Sequence, residues 1–235
     1  MNLDSLRRAL PDRRIDYYPS VDSTMRAAAT LPRGSIVIAD EQTAGQGRHG
    51  HSWHSAPNIG IYCSIVLHPA PALTLTIGLA TVEAIAEATG IACDLRWPND
   101  VMLDGKKCAG ILVQLIDGKA IAGIGINVNH TEFPPDLATE ATSLRMHRHA
   151  PTPDPRPLTP ILASLLPAVD RYAALPLEQI LDLFTNASSY VSGRRVVVNE
   201  IHGVTAGLDP AGFLKVRQDD GTVTLILAGG VRAAP

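Results

Sequence analysis

The stretch Ala109–Asn129, AGILVQLIDGKAIAGIGINVN, decides the fold class. Two apolar runs flank Asp117-Gly118. An Asp-Gly pair between such runs specifies a tight β-hairpin, because both turn residues must accept positive φ. In the second run the alternating isoleucines, Ile124 and Ile126, face a core. Gly123 and Gly125 leave room beside the strand for something flat.

Working outward, residues 34–43 (GSIVIADEQT) and 59–69 (IGIYCSIVLHP) read as further strands, the second long enough in its apolar run to be buried. Helices separate them. DSTMRAAATL at 22–31 has Asp22 or Ser23 as its cap and Pro32 after its end. Leu73–Thr89 carries Leu75, Leu79, Val82 and Ile85 at helical spacing, with Gly90 as the stop. Residues 130–157, rich in Pro, Thr, His and charge, are expected to be a loop. Residues 158–187 read as two helices broken near Pro176, with Pro167 straining the first. After about residue 190 the runs shorten (RRVVVNE, GVTAGLD, FLKVRQ, TVTLIL, GGVRA), and Asp209-Pro210, Gly212 and Asp220-Gly221 separate them. The expectation is an α+β protein. A mixed, largely antiparallel sheet packed with helices spans 1–188, and a small C-terminal all-β barrel spans 189–235.

The composition bounds the function. Hydrophobic residues make up 46% and charged residues 18%, so the chain can build a core and is not disordered. Lys plus Arg is 20 against 23 for Asp plus Glu, which offers no basic surface for nucleic acid. The three cysteines, Cys63, Cys93 and Cys108, form no CxxC pair. A disulfide framework or zinc site is therefore not expected, and a reducing compartment is. The first residues, MNLDSLRRALPDRR, lack the apolar core of a secretory signal. No run reaches the roughly 18 apolar residues of a membrane span. A soluble, cytoplasmic protein is expected.

Residues 45–50, GQGRHG, match the G-x-G-x-x-G dinucleotide fingerprint. That motif must open a helix, whereas HSWHSAPNIG follows here, and no acid stands some 20 residues on. Dinucleotide binding is set aside. The loop keeps a physical meaning. Closely spaced glycines let backbone N–H groups approach a ligand, and Arg48 adds fixed positive charge suited to a phosphate or carboxylate. Its alternative is a surface hairpin with an incidental arginine. In RWPNDVMLDGKKCAG at 96–110, Asp100 is a candidate Mg²⁺ ligand and Lys106 or Lys107 a candidate phosphate partner. The alternative there is an ordinary turn with a solvated lysine pair. Asn127 carries the donor and acceptor needed to read an adenine edge. The His49, His51 and His54 group and the His147–His149 pair read as solvated loop residues rather than metal ligands. Cys108, though beside Lys107, reads as a small buried residue.

Together DSTM (22–25), EQTAGQGRHGHSW (41–53), RWPNDVMLDGKKCAGIL (96–112), GIGINVN (123–129) and ATSL (141–144) resemble the biotin protein ligases in order and separation. The resemblance covers nearly the whole chain. It implies activation of biotin by Mg·ATP to biotinyl-5′-AMP, then transfer to a lysine of a biotin carboxyl carrier domain of an acyl-CoA carboxylase. It also implies roles. Ser23, Thr24 and Gln42 would read the biotin ureido ring. Gly45, Gly47 and Gly50 belong to the loop that closes over the ligand, and Gly110 and Gly123 would line the biotin slot. Arg48 and Lys107 would stabilise charge on the carboxylate and phosphate. His49, Gly50, Trp53 and Asn127 fall on the nucleotide side, and Asp100 would hold the metal. Gln46 stands where many relatives have Arg, which leaves phosphate neutralisation to Arg48 and Lys107.

Only about 20 residues precede Asp22, too few for a helix-turn-helix unit, so no specific DNA binding is expected. Monomer and homodimer both remain open. Two rival readings are a lipoate or octanoate ligase of the same fold, against which the Ser23, Thr24 and Gln42 set speaks, and a biotin sensor without catalysis. An intact Arg48, Asp100, Lys107 and Asn127 set speaks against the sensor.

Overall fold

Residues 1–135, 137, 139–147 and 155–234 are described by the computed structural model of the chain. Helix α1 (Leu3–Ala9) comes first, capped by the Asn2 side chain, which accepts from the Ser5 backbone N–H at 3.0 Å. Strand β1 (Ile15–Tyr18), helix α2 (Thr24–Ala29) and strand β2 (Ile36–Ala39) follow, and β1 runs parallel to β2. Next come β3 (Gly60–Leu67), α3 (Leu73–Thr89), β4 (Asp94–Arg96), β5 (Asp100–Leu103), β6 (Lys106–Ile116) and β7 (Lys119–Asn127). They complete a seven-stranded sheet in the order β1-β2-β3-β7-β6-β5-β4, antiparallel at every pairing but the first.

The hairpin at Asp117-Gly118 forms as expected. Both residues have positive φ, 49° and 70°, and Ile116 pairs with Lys119 directly across the turn. The same device recurs at Asp104-Gly105, with φ of 53° and 77°, where Leu103 pairs with Lys106. Sequence reasoning kept that second pair inside a polar cluster and did not read the β4–β5–β6 strands from it.

Helix α3 stops at Gly90, which adopts φ +71° while its N–H returns to the Ala86 carbonyl. It is apolar nearly all round because it lies between the sheet and helix α4 (Leu158–Ala173). Pro167 sits on the exposed face of α4, which runs on through it. Helix α5 (Leu177–Asn186) begins after Pro176, as the sequence indicated. Positions 136, 138 and 148–154 of the expected 130–157 loop, His149 among them, lie outside the described residues.

Strands β8 (Ser192–Val198), β9 (Ile201–Leu208), β10 (Leu214–Arg217), β11 (Val223–Ile226) and β12 (Val231–Ala233) form a second, wholly antiparallel sheet in the order β11-β10-β9-β8-β12. Buried residues of this sheet, Val196, Leu214 and Val216 among them, join the same hydrophobic cluster as Ile61, Ile111 and Ile124 of the first. Each such side chain contributes about 1.5–3 kcal/mol by leaving water. The Trp97 indole N–H donates to the Gly212 carbonyl at 3.0 Å and ties the two sheets together. Among the described residues no helix is long and apolar enough to cross a membrane.

Just past β7, His130 is 1% exposed and stacks on Phe133 with ring centroids 5.1 Å apart. Its Nε2 lies 3.4 Å from the Tyr62 hydroxyl, and its Nδ1 has no partner among the described residues. Burial, helped by nearby His54, pushes its pKa down to about 4 from 6.5. The unfolded chain therefore binds this proton more readily between those values. The stabilisation from neutral His130 is complete above about pH 6.5 and is lost as pH falls toward 4. Denaturant unfolding of wild type and His130→Gln at pH 7 and pH 4.5 is expected to show the wild type losing about 2–3 kcal/mol more than the variant. Equal losses would show that His130 does not titrate in this way.

Candidate functional site

A cleft, partly open to solvent, lies where the N-terminus of α2, the glycine-rich loop and the β6–β7 hairpin meet. One end is polar and uncharged. Ser23 is the N-cap residue of α2 and is fully buried, yet its hydroxyl has no hydrogen-bond partner among the described residues. Such a group normally meets a partner, so this hydroxyl suits a polar ligand atom. Thr24 directs both its backbone N–H (2.8 Å) and its hydroxyl (3.0 Å) at the Gln42 Oε1, and the same hydroxyl lies 2.8 Å from the Ser64 Oγ. Gln42 in turn donates from Nε2 to the Ser55 Oγ at 2.9 Å, which fixes the orientation of its amide.

The middle of the cleft is floored by bare backbone. Gly110 on β6 stands opposite Gly125 on β7 in register. A Cβ on Gly125 would lie 2.4 Å from the Trp53 ring, one on Gly110 2.9 Å from the same ring, and one on Gly123 2.7 Å from the Met25 sulfur. No side chain larger than hydrogen fits these positions while Trp53 and Met25 stay in place. Sequence reasoning put Gly123 and Gly125 on one face of GIGIN with room beside them, while the family resemblance carried over Gly110 and Gly123 without Gly125.

The loop over the cleft is a pinched excursion. Gly47 N–H donates to the His51 carbonyl (2.7 Å) and Trp53 N–H to the Gly45 carbonyl (2.9 Å), around a 3₁₀ turn at Arg48–Gly50. A Cβ on Gly45 would stand 2.7 Å from the Trp53 carbonyl oxygen, so the pinch requires glycine there. No α-helix opens from the loop, in keeping with setting the dinucleotide fingerprint aside. Trp53 hangs from its far side, with its indole N–H buried and without a partner among the described residues.

The other end of the cleft is charged. The Lys107 Nζ lies 2.5 Å from the Asp100 Oδ1 and 5.3 Å from the centre of the Trp53 ring. Arg96, paired with Asp100 across the β4–β5 turn, reaches the Asp100 Oδ2 with Nη2 (2.6 Å) and Nε (3.2 Å). Burial alone would raise the Asp100 pKa, but Lys107 and Arg96 outweigh it and hold the carboxyl below its ordinary value. Burial lowers the pKa of Arg48, and the Asp100 charge partly offsets this, so Arg48 belongs to the same electrostatic group. An arginine stays charged through such a shift. Three cations thus face one carboxylate, leaving a surplus of two positive charges beside the cleft.

Of the residues singled out in the sequence, the fold brings Ser23, Thr24, Gln42, Gly47, Arg48, Trp53, Lys107, Gly110 and Gly123 together around this space. Asp100 is not among the residues that border this space. Its two oxygens are taken by Lys107 and Arg96, no Asp or Glu is among the described residues bordering the cleft, and no three potential ligands converge among the described residues. Mg²⁺ binds through carboxylate oxygens with room for several waters, and this arrangement does not fit a protein-held Mg²⁺. Gly45 sits behind Trp53, and His49 and Gly50 lie on the exposed outer turn. The Asn127 Nδ2 donates to the Thr142 carbonyl at 3.2 Å and secures the 141–144 segment to β7 rather than facing the cleft. Cys108 is buried. A hydrogen bond with Cys93, together with burial, raises its thiol pKa, so lysine proximity does not activate it. Asn99 escaped sequence reasoning although it borders the cleft.

A profile of the Biotin/lipoate A/B protein ligase family matches residues 17–130. The bifunctional ligase/repressor BirA of Bacillus subtilis (strain 168) is 39% identical over 157 residues, covering 59% of this chain and 48% of its own. The matched chain thus spans about half the length of that relative. A Paracoccus denitrificans protein described as biotin--[acetyl-CoA-carboxylase] ligase is 31% identical over 219 residues, covering 83% of this chain and 91% of its own. Among solved structures, the biotin protein ligase from Aquifex aeolicus in complex with biotin and ATP superposes with a TM-score of 0.83 at 30% identity, covering 94% of this chain and 99% of that one. With similarity of this extent across nearly the full length of two relatives, the chain belongs to the biotin protein ligase family.

Proposed function

We propose that the protein joins biotin to ATP as biotinyl-5′-AMP, with release of pyrophosphate, and then passes the biotinyl group to a lysine of a carboxylase carrier domain. One observation carries this reading. The cleft is neutral and hydrogen-bonding at one end, flat and glycine-floored in the middle, and cationic at the other. Biotin has the same order of parts: a ureido ring, an apolar body and chain, and a carboxylate. Ser23, Thr24 and Gln42 take the ureido end, and Gly110, Gly123 and Gly125, by letting Trp53 and Met25 lie close on the strands, shape the space for the body. Lys107 and Arg48 meet the carboxylate and the α-phosphate.

In the first step a biotin carboxylate oxygen attacks the α-phosphorus and the bond to pyrophosphate breaks. Two anions must approach each other, so positive charge fixed in advance is the main contribution the protein can make. Mg²⁺ arrives with the nucleotide as Mg·ATP. In the second step the acceptor lysine amine attacks the acyl carbon and AMP leaves. Neither step calls for a protein nucleophile. The mixed anhydride is sensitive to water, which gives the loop at 45–50 a use as a cover. Residues 1–188 hold the cleft in this reading, and residues 189–235 form the supporting β unit. The expected setting is the cytoplasm, where the carrier substrates would be met.

The family profile also embraces lipoate ligases, so the substrate acid is the first point to test. With purified protein and Mg²⁺, pyrophosphate exchange into ATP is expected with biotin and not with lipoate or without acid. Exchange with lipoate alone would reassign Ser23, Thr24 and Gln42. Biotin binding without exchange would point to a sensor.

Arg48→Ala and Lys107→Ala are each expected to slow exchange on the order of 100- to 1000-fold while the protein still folds. Near-normal turnover in either removes that residue from the charge-stabilising set. Asp100→Ala should behave differently. It leaves Arg96, itself 9% exposed, without its carboxylate, and denaturant unfolding is expected to show a loss of about 3–5 kcal/mol. A stability change under about 1 kcal/mol would show that the pair is not carrying the fold.

A further inference from the structure

Arg48 is held in an unusual way for a half-buried cation. Its Nη1 donates to the Asn99 Oδ1 at 3.0 Å and to the Gly229 carbonyl at 3.2 Å. Among the described residues it forms no ion pair within 4.0 Å. Both acceptors are neutral oxygens. They fix where the guanidinium points and do not cancel its charge. A carboxylate at either place would orient the arginine equally well and neutralise it.

Both holders are themselves immobilised. The Asn99 Nδ2 donates to the Ile111 carbonyl at 3.0 Å, and the Ile111 N–H returns to the Asn99 carbonyl at 2.9 Å. Asn99 is thereby locked to β6, one residue from Gly110 on the cleft floor. Gly229 has φ +137°, which side-chain-bearing residues rarely adopt, and a Cβ there would stand 3.0 Å from the Asn199 Oδ1. The Asn199 Nδ2 donates to the neighbouring Ala228 carbonyl at 3.4 Å. The second sheet thus presents a backbone oxygen from a turn that only glycine makes without strain.

We propose that Asn99 and the Gly229 carbonyl are the positioning groups of this ligase. They hold Arg48 between two neutral acceptors so that its charge is aimed at the reacting anions and stays available to them. The second sheet is then a working part of the reaction site. This rests on the ligase reading above, and it adds residues that act through Arg48 without touching the substrate.

The test is a double-mutant cycle read by biotin-dependent pyrophosphate exchange, with biotin affinity measured by calorimetry. Wild-type exchange is recorded first. Its absence would overturn the ligase reading and this proposal with it. Given wild-type exchange, Asn99→Ala is expected to lower kcat on the order of 10- to 100-fold, since a misplacement near 1 Å has effects of that size. Biotin affinity should stay within a few-fold, because the ureido end is untouched. In the Arg48→Ala background, adding Asn99→Ala should cost less than 3-fold more. A purely structural Asn99 would multiply its effect onto Arg48→Ala, and that outcome overturns the proposal even though the ligase reading stands. Asn99→Asp covers the case in which Asn99→Ala does not fold. It retains an acceptor for Arg48 but neutralises it, and is expected to raise the KM for ATP and lower kcat while biotin still binds. Normal ATP kinetics in Asn99→Asp would sink the charge argument. Gly229→Ala should give a loss that likewise vanishes in the Arg48→Ala background.

Discussion

Burying the Asp100 carboxylate depends on both of its oxygens meeting a cation. Arg96 supplies one from across the β4–β5 turn and Lys107 the other from β6. Left alone at that depth, any of the three would cost several kcal/mol. Together they lock three neighbouring strands into one arrangement. They also solve a conflict of charges. A place where two anions are to meet must be positive before they arrive, yet packed cations repel one another. One shared carboxylate relieves that repulsion without cancelling it, and with Arg48 counted the balance stays positive.

The glycine floor sets a second conflict. Gly110, Gly123 and Gly125 weaken a sheet where they stand, since they bring no side-chain packing and lose much backbone freedom on folding. The sheet compensates with length. β7 pairs with β3 from Gly60–Asn127 to Leu67–Ala120 and with β6 from Ala109–Ile126 to Ile116–Lys119, so the thinned stretch is braced on both sides. Above the floor, Trp53 and Met25 take up the space that missing side chains leave. The slot is thus shaped by what lies on the sheet as much as by the sheet.

Much of this architecture could be read from residues alone, and the reasons are local. Asp117-Gly118 and Gly90 announce turns because few other residues tolerate positive φ. The buried strand at β3 announces itself by an unbroken apolar run. The features that escaped are relational. β1 is only four residues long, and its parallel partner depends on a crossover that no short motif encodes. Asp104-Gly105 carries the same turn signal as Asp117-Gly118, but the surrounding charges drew attention to chemistry instead. Asp100 was expected to hold a metal because a carboxylate in a polar motif invites one. Its partner Arg96 stands four residues earlier, and only the hairpin places the two side by side. Asn99 looked like turn punctuation, since nothing in its neighbourhood hints at a loop arginine arriving from a distant part of the chain.

That distance has a bearing on how the molecule comes into being. Arg48 and Gly229 are separated by 181 positions in sequence. A chain emerging from the ribosome N-terminus first exposes all seven strands of the first sheet, with Asn99 among them, well before the turn that carries Gly229. The cleft takes shape early, while one of the two oxygens that hold its arginine comes last. The site is finished only once the turn that carries Gly229 has been made, and a chain cut short before it has the slot without the fully restrained charge.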